Sequence, residues 1–254
     1  MPVTKITLTG VDENTDLNQL VALSKDYPEV EWGFLYSPKQ KGGPQRYPSV
    51  YFLKKALALL PSPVKAALHV CGKEVNNILT SEPVATALVD FLSARSGRLQ
   101  LNFNHRKRPV DLQALARFIS DHPRLAVITQ IHDGNADVQP ELFKILGFAP
   151  ANHALLFDAS GGRGQVATIL EAPRYGIHCG YAGGIGPDNI VERVTAINSM
   201  VGRLDTWIDM ESSLRTTTAG IDWLDLKKCQ ATLEAFKEIK PVQKGAETHE
   251  HKRI

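Results

Sequence analysis

The chain has 254 residues, 43% of them apolar, and its 29 Lys and Arg against 27 Asp and Glu leave a net charge of +2. That apolar share excludes a disordered polyelectrolyte, and the near balance of charge gives no footprint for nucleic acid or an anionic membrane surface. The length suits a single (β/α)8 barrel, and no apolar run approaches the ~20 residues that a membrane-crossing helix needs.

Taken in chain order, strand-like runs fall at residues 5–10, 30–37, 65–72, 98–104, 125–133, 153–160, 178–183 and 206–212. Amphipathic segments lie between them. Leu17, Leu20 and Val21 share a helical face, as do Leu112, Leu115, Ala116 and Ile119. Helix starts are marked by Pro187-Asp-Asn before Ile190 and by Asp222 before Leu224. Strand and helix alternating over short loops predict a parallel sheet under helical cover, and eight repeats predict closure into one α/β barrel over residues 1–240. An open dinucleotide-binding sheet would carry G-x-G-x-x-G after its first strand, and that pattern is missing. Residues 241–254 are polar and aperiodic and read as a disordered tail. The N-terminal residues carry no signal-peptide pattern, and Cys71, Cys179 and Cys229 suggest no disulfide framework. Both features lead us to expect a reducing, cytoplasmic setting.

Fully buried parallel strands normally read as unbroken apolar runs. Several here alternate instead. Thr7 and Thr9 share a face, as do His69 and Cys71, then Gln100, Asn102 and Asn104, then Gln130 and His132, then Asp209 and Glu211. The apolar set must meet the helices, so the polar set must fill the barrel, bonded internally, to water, or to a ligand. Polar residues at the strand ends favour a site, because barrel enzymes react at the C-terminal rim.

Three late segments end in small residues. Asp158 is followed by Ala-Ser-Gly161-Gly162-Arg163-Gly164, Ala182 by Gly183-Gly184-Ile-Gly186, and Asp209 by Met-Glu211-Ser212-Ser213. Successive strand ends that bare their backbone N–H groups make a cradle for phosphate. Asp158 ends its strand just before the first of these loops, which suits a catalytic carboxylate. Cys71 shares a strand end with His69 and is either a small buried residue or a proton-transfer group. His132 lies beside Asp133, a pairing that would either orient the imidazole for proton transfer or satisfy a buried ring. His69, Cys71, His132 and Asp158 also make a weak metal-ligand set, and no metal is expected.

These segments resemble those of the phosphoribosylanthranilate isomerase family. Leu155-Leu-Phe-Asp158 with its Gly-Gly-Arg-Gly tail is similar to the family's aspartate-plus-GGTG segment, and Ala182-Gly-Gly-Ile-Gly-Pro-Asp-Asn189 to "AGGL-x-PEN". Asp209-Met-Glu-Ser-Ser213 is similar to "DVSSGVE", and Trp32-Gly-Phe-Leu-Tyr-Ser37-Pro38 with the later Arg46 to "GFIF…SPR". The likeness is strongest from His153 to Ser213. It implies a (β/α)8 barrel that opens a phosphorylated aminoaldose and moves the C2 proton to give an aminodeoxyketose, without cofactor. Asp158 would be the acid. Thr9 stands where the family carries its cysteine base, which leaves Cys71, His132 or an activated Thr9 for that role. Arg46 would clamp a carboxylate across an apparent insertion at residues 39–45, and Arg215 replaces the glutamate of the "GVE" turn. Gly162, Gly164, Gly183, Gly184, Glu211, Ser212 and Ser213 would hold a small phosphorylated substrate. The oligomeric state is left open. The alternatives are a phosphate-ligand-binding or regulatory barrel without turnover, and another phosphate-barrel enzyme such as an epimerase or a lyase.

Overall fold

The computed structural model describes residues 2–38, 46–61, 64–95, 97–158, 170–174 and 176–239. The loop glycines Gly162 and Gly164, the insertion at 39–45 and the 241–254 tail lie outside them.

The elements run β1 (Val3–Thr9), α1 (Leu17–Asp26), β2 (Val30–Tyr36), α2 (Val50–Leu59), β3 (Lys65–Cys71), α3 (Glu74–Leu79), α4 (Pro83–Ala94) and β4 (Arg98–Asn102). They continue through α5 (Leu112–Asp121), β5 (Ala126–Ile131), α6 (Val138–Leu146), β6 (His153–Phe157), β7 (His178–Tyr181), α7 (Ile190–Val201) and β8 (Thr206–Met210). A hairpin, β9 (Arg215–Thr218) and β10 (Ile221–Leu224), precedes α8 (Leu226–Lys237). Strands β1 to β8 close in sequence order, with β1 parallel to both β2 and β8. The fold is therefore a (β/α)8 barrel, as the strand count predicted.

Helix starts follow local chemistry. Asp16, Asp111 and Asp225 each accept two backbone N–H bonds at the first turn of α1, α5 and α8. The last of these corrects the sequence reading, which started the helix at Asp222. Residues 221–224 pair instead with β9, and Asp222 receives a two-pronged bond from Arg215. Helix α5 buries Leu115, Ala116, Phe118 and Ile119 on one stripe, the spacing seen in its sequence. Among the described residues no helix is long and apolar enough to cross a membrane.

The polar faces of the strands do turn inward. Low in the barrel the Arg98 guanidinium grips Glu31 at 2.6 to 3.0 Å, donates to the Thr7 hydroxyl oxygen at 2.8 Å, and lies 4.5 Å over the Trp207 ring. Burial pushes the Glu31 carboxyl up, but the Arg98 and Lys5 charges outweigh it and hold the group below the usual carboxylate range. This lower network is a structural floor. It supports the residues one layer up, at the C-terminal mouth.

Candidate functional site

A cleft opens at the C-terminal ends of the strands. His69, Gln100, Asn102, Gln130, Asp158 and Asp209 line its floor, and the turns after β7 and β8 form one wall. Asp158, the residue after β6, is buried and accepts a bond from the Gln130 amide at 3.3 Å. Asp209 on β8 is buried and accepts the Thr9 hydroxyl at 2.7 Å. Gly33 on β2 makes room for this pair, since a Cβ there would sit 2.2 Å from Thr9 Oγ1.

Burial pushes the Asp209 carboxyl up to about 6. The bonds from Thr9 and Gln100 and the Arg98 charge oppose that rise, and the Asp158 charge adds to it. Glu211 is also raised by burial, opposed by Arg46 and pushed further by Asp209. Burial takes His69 the other way, down to about 4, so its imidazole is neutral across the physiological range.

This wall is built from two turns locked together. Gly183 and Gly184 adopt φ of +99° and +63°, a region that favours glycine. The Asn189 side chain accepts from Gly186 N at 2.9 Å and donates to Gly184 O at 2.8 Å, fixing the first turn. The Ser213 hydroxyl donates to Ile185 O at 2.6 Å and ties the second turn to it. Among the described residues, no bond takes up the backbone N–H groups of Gly183, Gly184, Ser212 and Ser213. Four such donors in two adjoining turns suit an oxyanion.

The remaining predicted residues are placed unevenly. Arg46 reaches the mouth, where it pairs with Glu211 at 2.8 Å and stands 3.7 Å from Asp222. Cys71 lies beside Asn102 at 3.9 Å, and burial pushes its thiol up to about 12, which keeps the thiolate scarce near neutral pH. His132 is spent on the backbone. Its Nδ1 accepts from Gly134 N at 3.0 Å and its Nε2 lies 3.1 Å from Phe103 O, so it caps a turn instead of pairing with Asp133. The weak metal set is not assembled, and among the described residues no group of three His, Cys, Asp or Glu is arranged to hold an ion. Arg215 leaves the site altogether. It is buried against Asp12 at 2.8 Å, Asp222 at 2.9 Å and Gly10 O at 2.8 Å, and so joins the β1 turn to the β9–β10 hairpin.

Sequence reasoning put Asp209 and His69 inside the barrel but gave Asp209 no role and His69 only a place in the weak metal set. The sequence signal was present in the alternation of strand β8. What it lacked was the β1–β8 seam, which brings Thr9 and Asp209 together from 200 positions apart.

No family model and no curated protein matches this sequence. Solved structures do. TrpF from Jonesia denitrificans matches with a TM-score of 0.58 at 15% identity over 93% of this chain and 98% of that one. Phosphoribosyl anthranilate isomerase from Thermus thermophilus matches at 0.56 and 18%, over 93% and 100%. That from Thermotoga maritima matches at 0.54 and 16%, over 92% and 99%.

In fold, this chain matches the phosphoribosylanthranilate isomerases. The motif resemblance, strongest from His153 to Ser213 and weak between Lys65 and Pro150, and the backbone comparison point to the same fold at low sequence identity. Of the residues that differ from the motifs compared above, Thr9 is bound to Asp209 at the cleft floor, whereas Arg215 lies outside the cleft against Asp12 and Asp222.

Proposed function

We propose that this barrel isomerises a phosphorylated aldose to a ketose, with the Amadori rearrangement of a phosphoribosylamine as the reaction it fits best. The observation that carries the proposal is the pair of buried carboxylates, Asp158 and Asp209, facing one cleft beneath the open N–H groups of the β7 and β8 turns. The phosphate would sit on Gly183, Gly184, Ser212 and Ser213; Gly162 and Gly164, expected from the sequence to share that role, lie outside the described residues. Asp158 gives its proton to the ring oxygen as the C1–O bond breaks and the exocyclic nitrogen forms C1=N. Asp209 takes the proton from C2, leaving the C1=C2 enolamine, and protonation at C1 with loss of the hydroxyl proton completes the ketose. A base poised near neutrality is what such a step needs, and a carboxyl raised to about 6 meets that need better than a thiol at about 12 or a His bound to the backbone. Thr9 serves as the hydroxyl that holds the Asp209 carboxylate, not as the base itself.

A second reading, a phosphate-ligand-binding barrel without turnover, draws on the Arg46–Glu211 pair, which takes up the arginine expected to clamp the aglycone. An epimerase shares the two-carboxylate requirement. A Schiff-base lyase is disfavoured because no lysine is among the described lining of the cleft.

The test is turnover of phosphoribosylanthranilate, generated in place and followed by loss of its fluorescence, on wild type, Asp158→Asn and Asp209→Asn. The proposal expects turnover in the wild type only, with binding of inorganic phosphate retained in all three. Full activity in either variant would remove that carboxylate from the mechanism. Phosphate binding with no turnover in the wild type would favour the second reading.

A further inference from the structure

Among the described residues on the cleft floor, His69 carries a buried ring nitrogen with no hydrogen-bond partner. It is 2% exposed, its Nδ1 lies 3.2 Å from Gln100 Nε2, and its Nε2 is buried with no partner. A buried donor left unmade costs about 1–3 kcal/mol, so native structures retain one where water or a ligand completes it.

The tautomer follows from the neighbours. Gln100 Nε2 also lies 3.0 Å from Asn102 Oδ1 and 3.4 Å from Asp209 Oδ2. Two oxygens facing this amide fix its nitrogen on their side, because the reversed amide would set three oxygens against one another. A nitrogen so fixed has two hydrogens to share among three acceptors and no lone pair to offer, so a proton on the His69 Nδ1 that faces it at 3.2 Å would have nothing to bond to. The ring proton is therefore on Nε2, and burial keeps the ring neutral. Gln100 thus couples the imidazole to Asp209, which accepts from Thr9 on its other oxygen. The ring belongs to β3, across the barrel from the turns after β7 and β8, so a ligand anchored there by phosphate would extend toward it.

We propose that His69, held by Gln100 as a neutral Nε2–H donor, binds a hydroxyl or carbonyl oxygen of the sugar carbon chain and positions it over Asp209. The inference rests on the proposed phosphate site and deepens it. It assigns the β3–β4 wall, made of His69, Gln100 and Asn102, to the polyhydroxy part of the ligand. His69 is a positioning and specificity group here, with no proton transferred.

The experiment compares ribose 5-phosphate with inorganic phosphate as probes. In 15N-histidine-labelled wild type, long-range proton–nitrogen correlation reads the tautomer of His69, and titration reads contact. We expect the Nε2–H form in the free protein. Ribose 5-phosphate should shift its signal, whereas inorganic phosphate should move the Gly184 and Ser213 amides alone. His69→Leu should weaken ribose 5-phosphate at least about tenfold while leaving inorganic phosphate unchanged, and His69→Gln, which keeps a donor, should recover most of the loss. Ribose 5-phosphate moving the Gly184 and Ser213 amides without touching His69 would overturn this inference and leave the phosphate site standing. An Nδ1–H tautomer, or equal affinity in His69→Leu, would also overturn it. Failure of both probes to move those amides would overturn the phosphate site, and the role of His69 with it.

Discussion

The Thr9 hydroxyl donates to Asp209 Oδ1 at 2.7 Å, bonding the first strand of the barrel to the last at the level of the cleft floor. The bond favours the charged carboxylate. It opposes the burial that holds Asp209 at about 6. A residue that looks in sequence like the loss of a base is, in the structure, a regulator of the acidity of its neighbour.

A pH dependence follows. A base must be unprotonated to act, so kcat/KM should rise with pH through an apparent pKa near 6 and level off above it. Thr9→Val removes the bond while keeping the side-chain shape. The carboxylate loses a stabilising donor, so the acidic limb should move to higher pH by about one unit, the scale of a hydrogen bond to a charged group. An unmoved limb in Thr9→Val would show that Asp209 is not the titrating base.

Removing Arg46 tests the mouth of the site. Burial raises Glu211, and Arg46, bonded at 2.8 Å, is the largest influence against that rise. In Arg46→Met the Glu211 carboxyl should titrate higher still, visible by carboxyl 13C chemical shift against pH. The pair is about a quarter exposed on each side, so its loss should change stability by less than about 1 kcal/mol. A larger loss would mean that Arg46 is a structural tie in the manner of Arg215.

Arg215 itself should be costly to remove. Its charge is buried against Asp12, whose side chain is fully buried, and Asp222. Breaking a buried pair by deleting one partner costs on the order of 3–5 kcal/mol, because the other charge is left without compensation. Urea unfolding of Arg215→Met should show that loss, and adding Asp12→Asn should recover part of it. A variant as stable as the wild type would show that the network carries no net energy.

The barrel was legible because each strand is bounded by turn residues and each helix keeps an apolar stripe, and both are local signals. All eight strands were placed, with β3 and β8 alternating as a polar-lined interior requires. The Asp222 error has a local cause as well. An aspartate before Trp-Leu looks like a cap, and only antiparallel pairing with Thr217 turns that stretch into a strand. His132 and Cys71 looked chemically capable because sequence gives residue type but not partner. The Phe103 carbonyl that faces His132 and the burial that raises Cys71 arise from chain distant in sequence. Arg215 likewise looked like an altered site charge, and its partners Gly10 and Asp12 come from the far end of the chain.

The buried His153 makes the folded state sensitive to acid. Its Nε2 lies 3.0 Å from the Thr129 hydroxyl, its Nδ1 has no partner, and burial pushes the group down to about 4 from an ordinary 6.5. Between those values the unfolded chain binds a proton that the folded chain refuses, so stability falls as pH drops from about 6.5 toward 4 and is unaffected above that window. His69 adds in the same direction. Asp209 opposes both, since its folded carboxyl keeps a proton up to about 6 that the unfolded one releases. Glu211, also raised, opposes them as well, while His178, pushed down by burial, and Glu31, held low by Arg98 and Lys5, act with the two histidines, so the groups that lose stability on acidification outnumber those that gain it. Urea midpoints measured from pH 7.5 to 4.5 should therefore decline for the wild type, and the difference between wild type and His153→Gln should narrow or reverse as pH falls. A difference constant with pH would show that His153 titrates alike in both states and that its burial carries no acid sensitivity.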